Sequence, residues 1–273
     1  MERRNIEMKI GELLGRGNTA DVYRWGRTEV VKILHQREHS EHEAKKEARN
    51  AEAVQSLGLK TPAFGGLVEI EGKTCLIYER IDGPTMLSRI ERTESSVVHY
   101  ARMMAQLQFD IHQAEVPFDP SLKRELSHQI QSAAVLNEAE KQAVLSKVKS
   151  LPEGKKLCHY DFHPGNIILS PNGPVVIDWI NAMVGNEAAD VARTSMMLRS
   201  HAVPRDTPDW LLERVLRKLF HDEYRKEYML LSGMGWKAVD EWMAPALAAR
   251  IGEVQNLERN EIVHCLREIL KNE

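Results

Sequence analysis

The chain has 273 residues, 42% of them hydrophobic and 28% charged, which suits one large domain or two lobes and argues against disorder. A net charge of −3 gives no electrostatic reason to expect a nucleic-acid partner, and no basic run suits a membrane surface. Met1 to Glu7 leads into no apolar stretch of a signal peptide, no run reaches the roughly 20 residues that span a bilayer, and Cys75, Cys158 and Cys265 lie too far apart for a zinc site or a disulfide framework, so a cytoplasmic protein is expected.

From about residue 6 to 82 the pattern is one of short strands around a single helix. Met8-Lys9-Ile10 is expected to lead into a glycine-rich turn, after which Asp21 to Trp25 resumes an extended pattern. The β-branched run Glu29-Val30-Val31-Lys32-Ile33-Leu34 suits a third strand. Residues 40–57 place Ala44, Ala48, Ala51 and Val54 on one face, which predicts a helix, with Gly58 as its end signal. Two more strands, Phe64 to Ile70 and Lys73 to Ile81, flank a tight turn at Glu71-Gly72.

After Asp82-Gly83-Pro84 the period becomes helical: Ser95 to Ala114, Lys123 to Ser150, and Thr207 to the end. One island, Leu157 to Trp179, reads as a hairpin set within this helical region, its runs separated by Pro171-Asn172-Gly173-Pro174. The expected architecture is α+β: a small antiparallel sheet with one helix over residues 1–82, a hinge near 79–84, and a larger helical lobe over 83–273. Ligands favour the crevice between such lobes.

The most informative stretch is His159-Tyr160-Asp161-Phe162-His163-Pro164-Gly165-Asn166, followed by Val176-Ile177-Asp178-Trp179. It offers an Asp and an Asn five apart on a loop, and a second Asp at the far end of a hairpin. Phosphoryl transfer asks for little more: a carboxylate to orient a hydroxyl, hard oxygen ligands for Mg²⁺, and positive charge on the phosphates. Read alone, His-x-Asp-x-His also permits the metal cluster of a hydrolase. The order His-x-Asp-x-x-x-x-Asn and Ile-Asp-Trp resembles the aminoglycoside phosphotransferase and choline kinase family, whose fold is protein-kinase-like and two-lobed. That resemblance implies an ATP- or GTP-dependent kinase with a small-molecule hydroxyl acceptor. It makes Asp161 the catalytic base, Asn166 and Asp178 the Mg²⁺ ligands, His159 a structural member of the loop, and Asp190 a buried brace. It gives residues 1–82 the nucleotide and 83–273 catalysis and substrate.

The remaining elements follow that order along the chain. Gly15-Arg16-Gly17-Asn18-Thr19-Ala20-Asp21-Val22 resembles a kinase glycine-rich loop, with Ala20 where a third glycine would stand; small residues in such a turn let backbone N–H groups approach phosphates. Lys32 alone reads rather as a solvated strand lysine, but by resemblance it contacts phosphate. Glu47 and Glu43 share a helix face, and Glu47 is preferred as its partner because its distance to Pro62 matches the family, while Glu41 and Glu43 suit a solvated face. Backbone groups from Glu79 to Ile81 are expected at the purine edge, so ATP and GTP are not distinguished.

The acceptor is open. Residues His201 to Glu273 carry 13 Asp and Glu against 11 Lys and Arg, no acidic excess for a polycationic aminoglycoside. Trp210, Trp236, Trp242 and Tyr228 suit either a helical core or a box for a quaternary amine such as choline. Sugars and amino alcohols are further candidates. A protein kinase is disfavoured because about eleven residues separate Asp178 from Asp190, too few for an activation segment. A catalytically silent nucleotide-binding protein is disfavoured because Lys32, Asp161, Asn166 and Asp178 are all present.

Overall fold

The computed structural model describes residues 10–17, 19–35, 40–116, 121–200, 207–254 and 256–272. The chain divides into two units, Met1–Thr85 with Gly165–Asn181, and Met86–Pro164 with Ala182–Glu273. Among the described residues no helix is long and apolar enough to cross a membrane.

The first unit is built on five antiparallel strands, β1 (Leu13–Arg16), β2 (Ala20–Trp25), β3 (Glu29–Leu34), β4 (Phe64–Ile70) and β5 (Lys73–Glu79), in the order β1-β2-β3-β5-β4. Between β3 and β4 runs helix α1 (Ser40–Gln55). Period-two alternation divides the sheet's side chains between two apolar clusters. Ala20, Leu34 and Leu76 pack with Ala44 and Ala48 of α1, while Trp25, Val31, Val68, Cys75 and Ile77 form a second cluster. The turn from β4 to β5 is made by Glu71 and Gly72, both at positive φ (50° and 73°), the geometry that a two-residue hairpin requires.

The first strand runs directly into the glycine-rich segment. It is Leu13–Arg16, with Gly15 inside it opposite Val22 and a register shift between Leu13 and Gly15. Backbone pairing with β2 continues back from it, Gly11 N–H donating to Arg24 O (3.0 Å) and Arg24 N–H to Glu12 O (2.9 Å), while Met8 and Lys9 of the expected strand lie outside the described residues.

The second unit opens with α2 (Met86–Arg89), α3 (Glu94–Ile111), α4 (Leu122–Ser132) and α5 (Glu138–Ser150). The run expected to be helical from Lys123 to Ser150 is thus two helices. Ala133 leaves helical geometry at ψ 89°, and Asn137 with Glu140 forms a capping box that starts α5 afresh. Strand β6 (Lys156–Cys158) follows and pairs with β9 (Met183–Gly185), a strand too short to leave a periodic trace in the sequence.

Between them the chain returns to the first unit as the hairpin β7 (Ile167–Ser170) and β8 (Gly173–Val176). This corrects both the boundary at 82/83 and the placing of the hairpin in the helical lobe. Leu169 N–H donates to Pro84 O (2.9 Å), Val176 N–H donates to Lys60 O (3.1 Å), and Trp179 Nε1 donates to Thr61 Oγ1 (3.0 Å). Gly83 permits the approach: at φ 146° it passes so close that a Cβ would lie 2.3 Å from Leu169 O.

The second unit continues with α6 (Glu187–Arg199), α7 (Asp209–Leu212), α8 (Arg214–Ser232), α9 (Trp236–Asp240), α10 (Met243–Arg250) and α11 (Asn256–Lys271). Trp210, Trp242 and Tyr228 are core residues here, and Trp236 is stacked under Arg225 at 4.1 Å, so these aromatics do not form a quaternary-amine box.

Candidate active site

Lys32 projects from β3 on the side where α1 packs. Its Nζ donates to Glu47 Oε1 (2.8 Å), to Glu47 Oε2 (3.0 Å) and to Asp178 Oδ1 (3.0 Å). Glu47 is buried and is further fixed by the Tyr78 hydroxyl at 3.0 Å. Burial works to lower the Lys32 pKa, but the carboxylates of Glu47 and Asp178 outweigh it and hold the ammonium charged well above its ordinary range. The partner is therefore Glu47 and not Glu43, and Glu41 makes an exposed pair with Lys45, as expected of a solvated face.

One turn along α1 from Glu47, the buried Asn50 donates through Nδ2 to Trp179 O and Ile180 O, both at 3.0 Å. The same helix thus grips Lys32 with one residue and the segment after Asp178 with another. Asp178 itself stands at φ 65° and Asn166 closes the turn Pro164–Asn166 before β7, its carbonyl accepting from Ile177 N–H at 3.0 Å. A left-handed non-glycine residue costs roughly 1–3 kcal/mol and persists where its surroundings over-determine it. Asn50 was not legible as a site residue; its only signal is an amide on an otherwise apolar helix face.

The other expected nucleotide residues fall at both ends of the sheet. Gly15 and Gly17 are exposed, and among the described residues a Cβ on Gly15 would meet only Val22 Cβ at 4.0 Å, so none of them requires that glycine. Gly17 N–H donates to Ala20 O (2.8 Å), and Thr19 O accepts from His35 N–H (2.8 Å). Asn18 lies outside the described residues. Ala20 is the first residue of β2, and its methyl is core rather than loop. After β5, Glu79 N–H is taken by Ala63 O and Arg80 N–H by Thr28 O, both at 2.8 Å. Ile81 is the first residue of this connector whose N–H has no partner among the described residues.

In the second unit the loop bearing Asp161 hangs from one buried carboxylate. Asp190 Oδ2 accepts from His159 N–H (3.0 Å) and from Gln108 Nε2 (3.2 Å), and Oδ1 accepts from Tyr160 N–H (2.7 Å). Nε2 of His112 lies 3.0 Å from Asp190 Oδ2, and its Nδ1 2.5 Å from the Tyr228 hydroxyl. Burial alone would raise the Asp190 pKa, but His112, His159 and Gln108 hold it below its ordinary value. His159 is buried and its Nδ1 accepts from Asp161 N–H at 3.3 Å, while Thr194 Oγ1 donates to Phe162 O at 3.2 Å. Tyr160 stands at φ 62°, so Asp161 leaves a strained residue clamped at its own amide. Gln108 and His112 were missed by sequence reasoning, since lone polar residues on α3 point to no partner on their own.

Asn166 and Asp178 supply a carboxamide and a carboxylate, the hard oxygen donors that a Mg²⁺-class cation takes in small number, so the residues fit such an ion. A histidine-type metal cluster does not fit. Among the described residues the group of metal-type ligands that converges is His112, Cys158 and Asp190, not His159 with Asp161 and His163, and both nitrogens of His112 are already engaged.

The model of the phosphotransferase enzyme family (APH) matches residues 11–231, and the chain belongs to that family. It is an enzyme that transfers phosphate to a hydroxyl group. No match was found among curated proteins. Among solved structures, an amicoumacin kinase in complex with AMP-PNP, Ca²⁺ and Ami aligns at 12% identity and a TM-score of 0.63, covering 99% of this chain and 89% of that one. An aminoglycoside-3'-phosphotransferase of type VIII aligns at 20% identity and 0.56, over 86% and 93%. The GDP complex of aminoglycoside 2'-phosphotransferase-IIIa aligns at 14% identity and 0.56, over 98% and 94%. At these identities the likeness establishes the protein-kinase-like fold.

Proposed function

We propose that this phosphotransferase is a small-molecule kinase that moves the γ-phosphoryl group of ATP or GTP to an acceptor hydroxyl. The observation that carries the reading is the Lys32 ammonium, held by Glu47 and Asp178 on three hydrogen bonds of 2.8–3.0 Å. A lysine fixed in this way presents a permanent charge suited to phosphates, beside the carboxylate that would share a metal with Asn166. The exposed, sterically unfilled Gly15 and the unpartnered Ile81 N–H suit phosphate and purine respectively. When bound, Mg²⁺ would neutralise charge on the transferring phosphate. Asp161 would orient the acceptor hydroxyl and take its proton, its backbone fixed from Asp190. Residues 1–85 with the 165–181 hairpin would then serve the nucleotide, and the helical unit would serve the acceptor.

The second unit holds a cavity of about 1180 Å³, but none of residues 159–166 lines it, so it is not assigned to the acceptor. Its walls carry both signs of charge, with Arg199, Arg214 and Arg225 from α6 and α8, and Glu258, Glu261 and Glu268 from α11.

The test is release of nucleoside diphosphate from Mg–ATP and Mg–GTP with aminoglycosides, amicoumacin, choline, ethanolamine, homoserine and simple sugars. Acceptor-dependent release is expected from the wild type and not from Asp161→Ala, which should keep its nucleotide affinity, while Asp178→Ala should lose the Mg²⁺-dependent part of that affinity by calorimetry. Full turnover by Asp161→Ala would remove Asp161 from its role. Absence of Mg²⁺-dependent nucleotide binding in the wild type would remove the kinase reading.

A further inference from the structure

Arg193 lies in α6 three residues after Asp190, on the same side of the helix. It is 1% exposed, yet of its guanidinium nitrogens only Nη2 is engaged, on Glu253 Oε2. Nε and Nη1 have no partner among the described residues. A buried ion with unmet donors is a poor device for stability, and an apolar side chain of similar volume would fill the site at less cost. Its position suggests what it does instead. The guanidinium carbon stands 5.2 Å from the ring centroid of Tyr160, whose ring is buried and whose hydroxyl also has no partner among the described residues. Tyr160 is the left-handed residue immediately before Asp161.

Two residues of α6 thus hold one strained residue, Asp190 at its amide and Arg193 at its ring. Glu253, just beyond α10, fixes Arg193 in turn and is itself held by Arg250 Nη1 at 2.8 Å. We infer that Arg193 is a positioning residue for Asp161: lying on the ring of Tyr160, it keeps that residue in its left-handed conformation and so fixes the direction in which Asp161 leaves the loop. Burial disfavours the Arg193 charge, but Glu253, Tyr160 and Asp161 together hold it, so the cation persists at every working pH. The inference rests on Asp161 being the base.

The test uses the full chain labelled with 3-fluorotyrosine, which gives six fluorine signals, that of Tyr160 being identified by its absence from Tyr160→Phe. In Arg193→Met the Tyr160 signal should shift or broaden while the other five stay, with no fall in Tm. Diphosphate release with the acceptor panel should drop by about 100-fold, as a small misplacement of a catalytic group does, while Mg–ATP affinity holds. Arg193→Lys, which keeps the charge, should recover part of the rate. An unmoved, sharp Tyr160 signal in Arg193→Met overturns the inference. So does a rate loss matched by equal losses in Mg–ATP affinity and Tm, which would make Arg193 a plain core residue. The fluorine spectrum decides the clamp even for an acceptor outside the panel, whereas full turnover by Asp161→Ala sinks the base assignment and leaves the spectrum as it is.

Discussion

Lys32, 12% exposed, stands between Glu47 at 1% and Asp178 at 29%, so its removal leaves the deepest charge of the three without its cation. Breaking a buried pair from one side costs about 3–5 kcal/mol, much of it the stranded partner. Lys32→Met should therefore lower unfolding stability in urea by about 3 kcal/mol, and Lys32→Met with Glu47→Leu should recover most of it. A loss in the single variant below about 1 kcal/mol would contradict the burial of Glu47. Gly15 behaves oppositely. With only Val22 Cβ near its missing side chain among the described residues, Gly15→Ala should leave Tm unchanged and weaken Mg–ATP binding, read by calorimetry; equal affinity would place the phosphates elsewhere. Glu47 was legible because a helix period and a spacing to Pro62 selected it. Asn50, Gln108 and Arg193 were not, because each acts on groups about 30 to 130 residues distant in sequence, or on a strain that only coordinates display.

At the scale of elements, what could be read from residue types was the sheet: β3, β4 and the β4–β5 turn carry β-branched alternation and a Glu-Gly pair at positive φ. What could not be read was pairing that depends on distant partners, such as the three-residue β9 against β6. The contact of α6 with α8 gives a pH-dependent seam. His221 Nε2 lies 2.7 Å from Ser195 Oγ, and burial, with Arg199 and Arg225 nearby, lowers its pKa below the ordinary 6.5, although Asp222 pulls the other way. The folded state therefore binds this proton less readily than the unfolded chain does. The stabilisation is full above pH 6.5 and declines as pH falls through the window between 6.5 and the lowered folded value. His221→Gln should flatten that part of a urea-stability profile; an unchanged slope would assign it to other groups.

At the scale of the whole molecule, the first unit is discontinuous: Met1–Thr85 is completed by Gly165–Asn181. A fragment covering residues 1–85 lacks the partners of Asn50, Lys60 and Thr61, and one of those of Lys32. It should show no cooperative unfolding by circular dichroism, and addition of a 165–181 peptide should restore some; a sharp transition in the fragment alone would show that the hairpin is dispensable. The division into residues 1–82 and 83–273 expected from the change in periodicity missed this, because periodicity reports what a segment is and not which neighbour it joins.

The same discontinuity sets a clock on biosynthesis. Asp178 is translated 146 residues after Lys32, so at bacterial or eukaryotic elongation speeds of 5–20 residues per second the ribosome delivers it about 7 to 30 s later. Over that interval the nascent lysine has only Glu47 for company, and the first unit waits without its hairpin while residues 86–164 are made. A rare-codon pause placed between residues 86 and 164 would lengthen this exposure, and one placed after residue 181 would not.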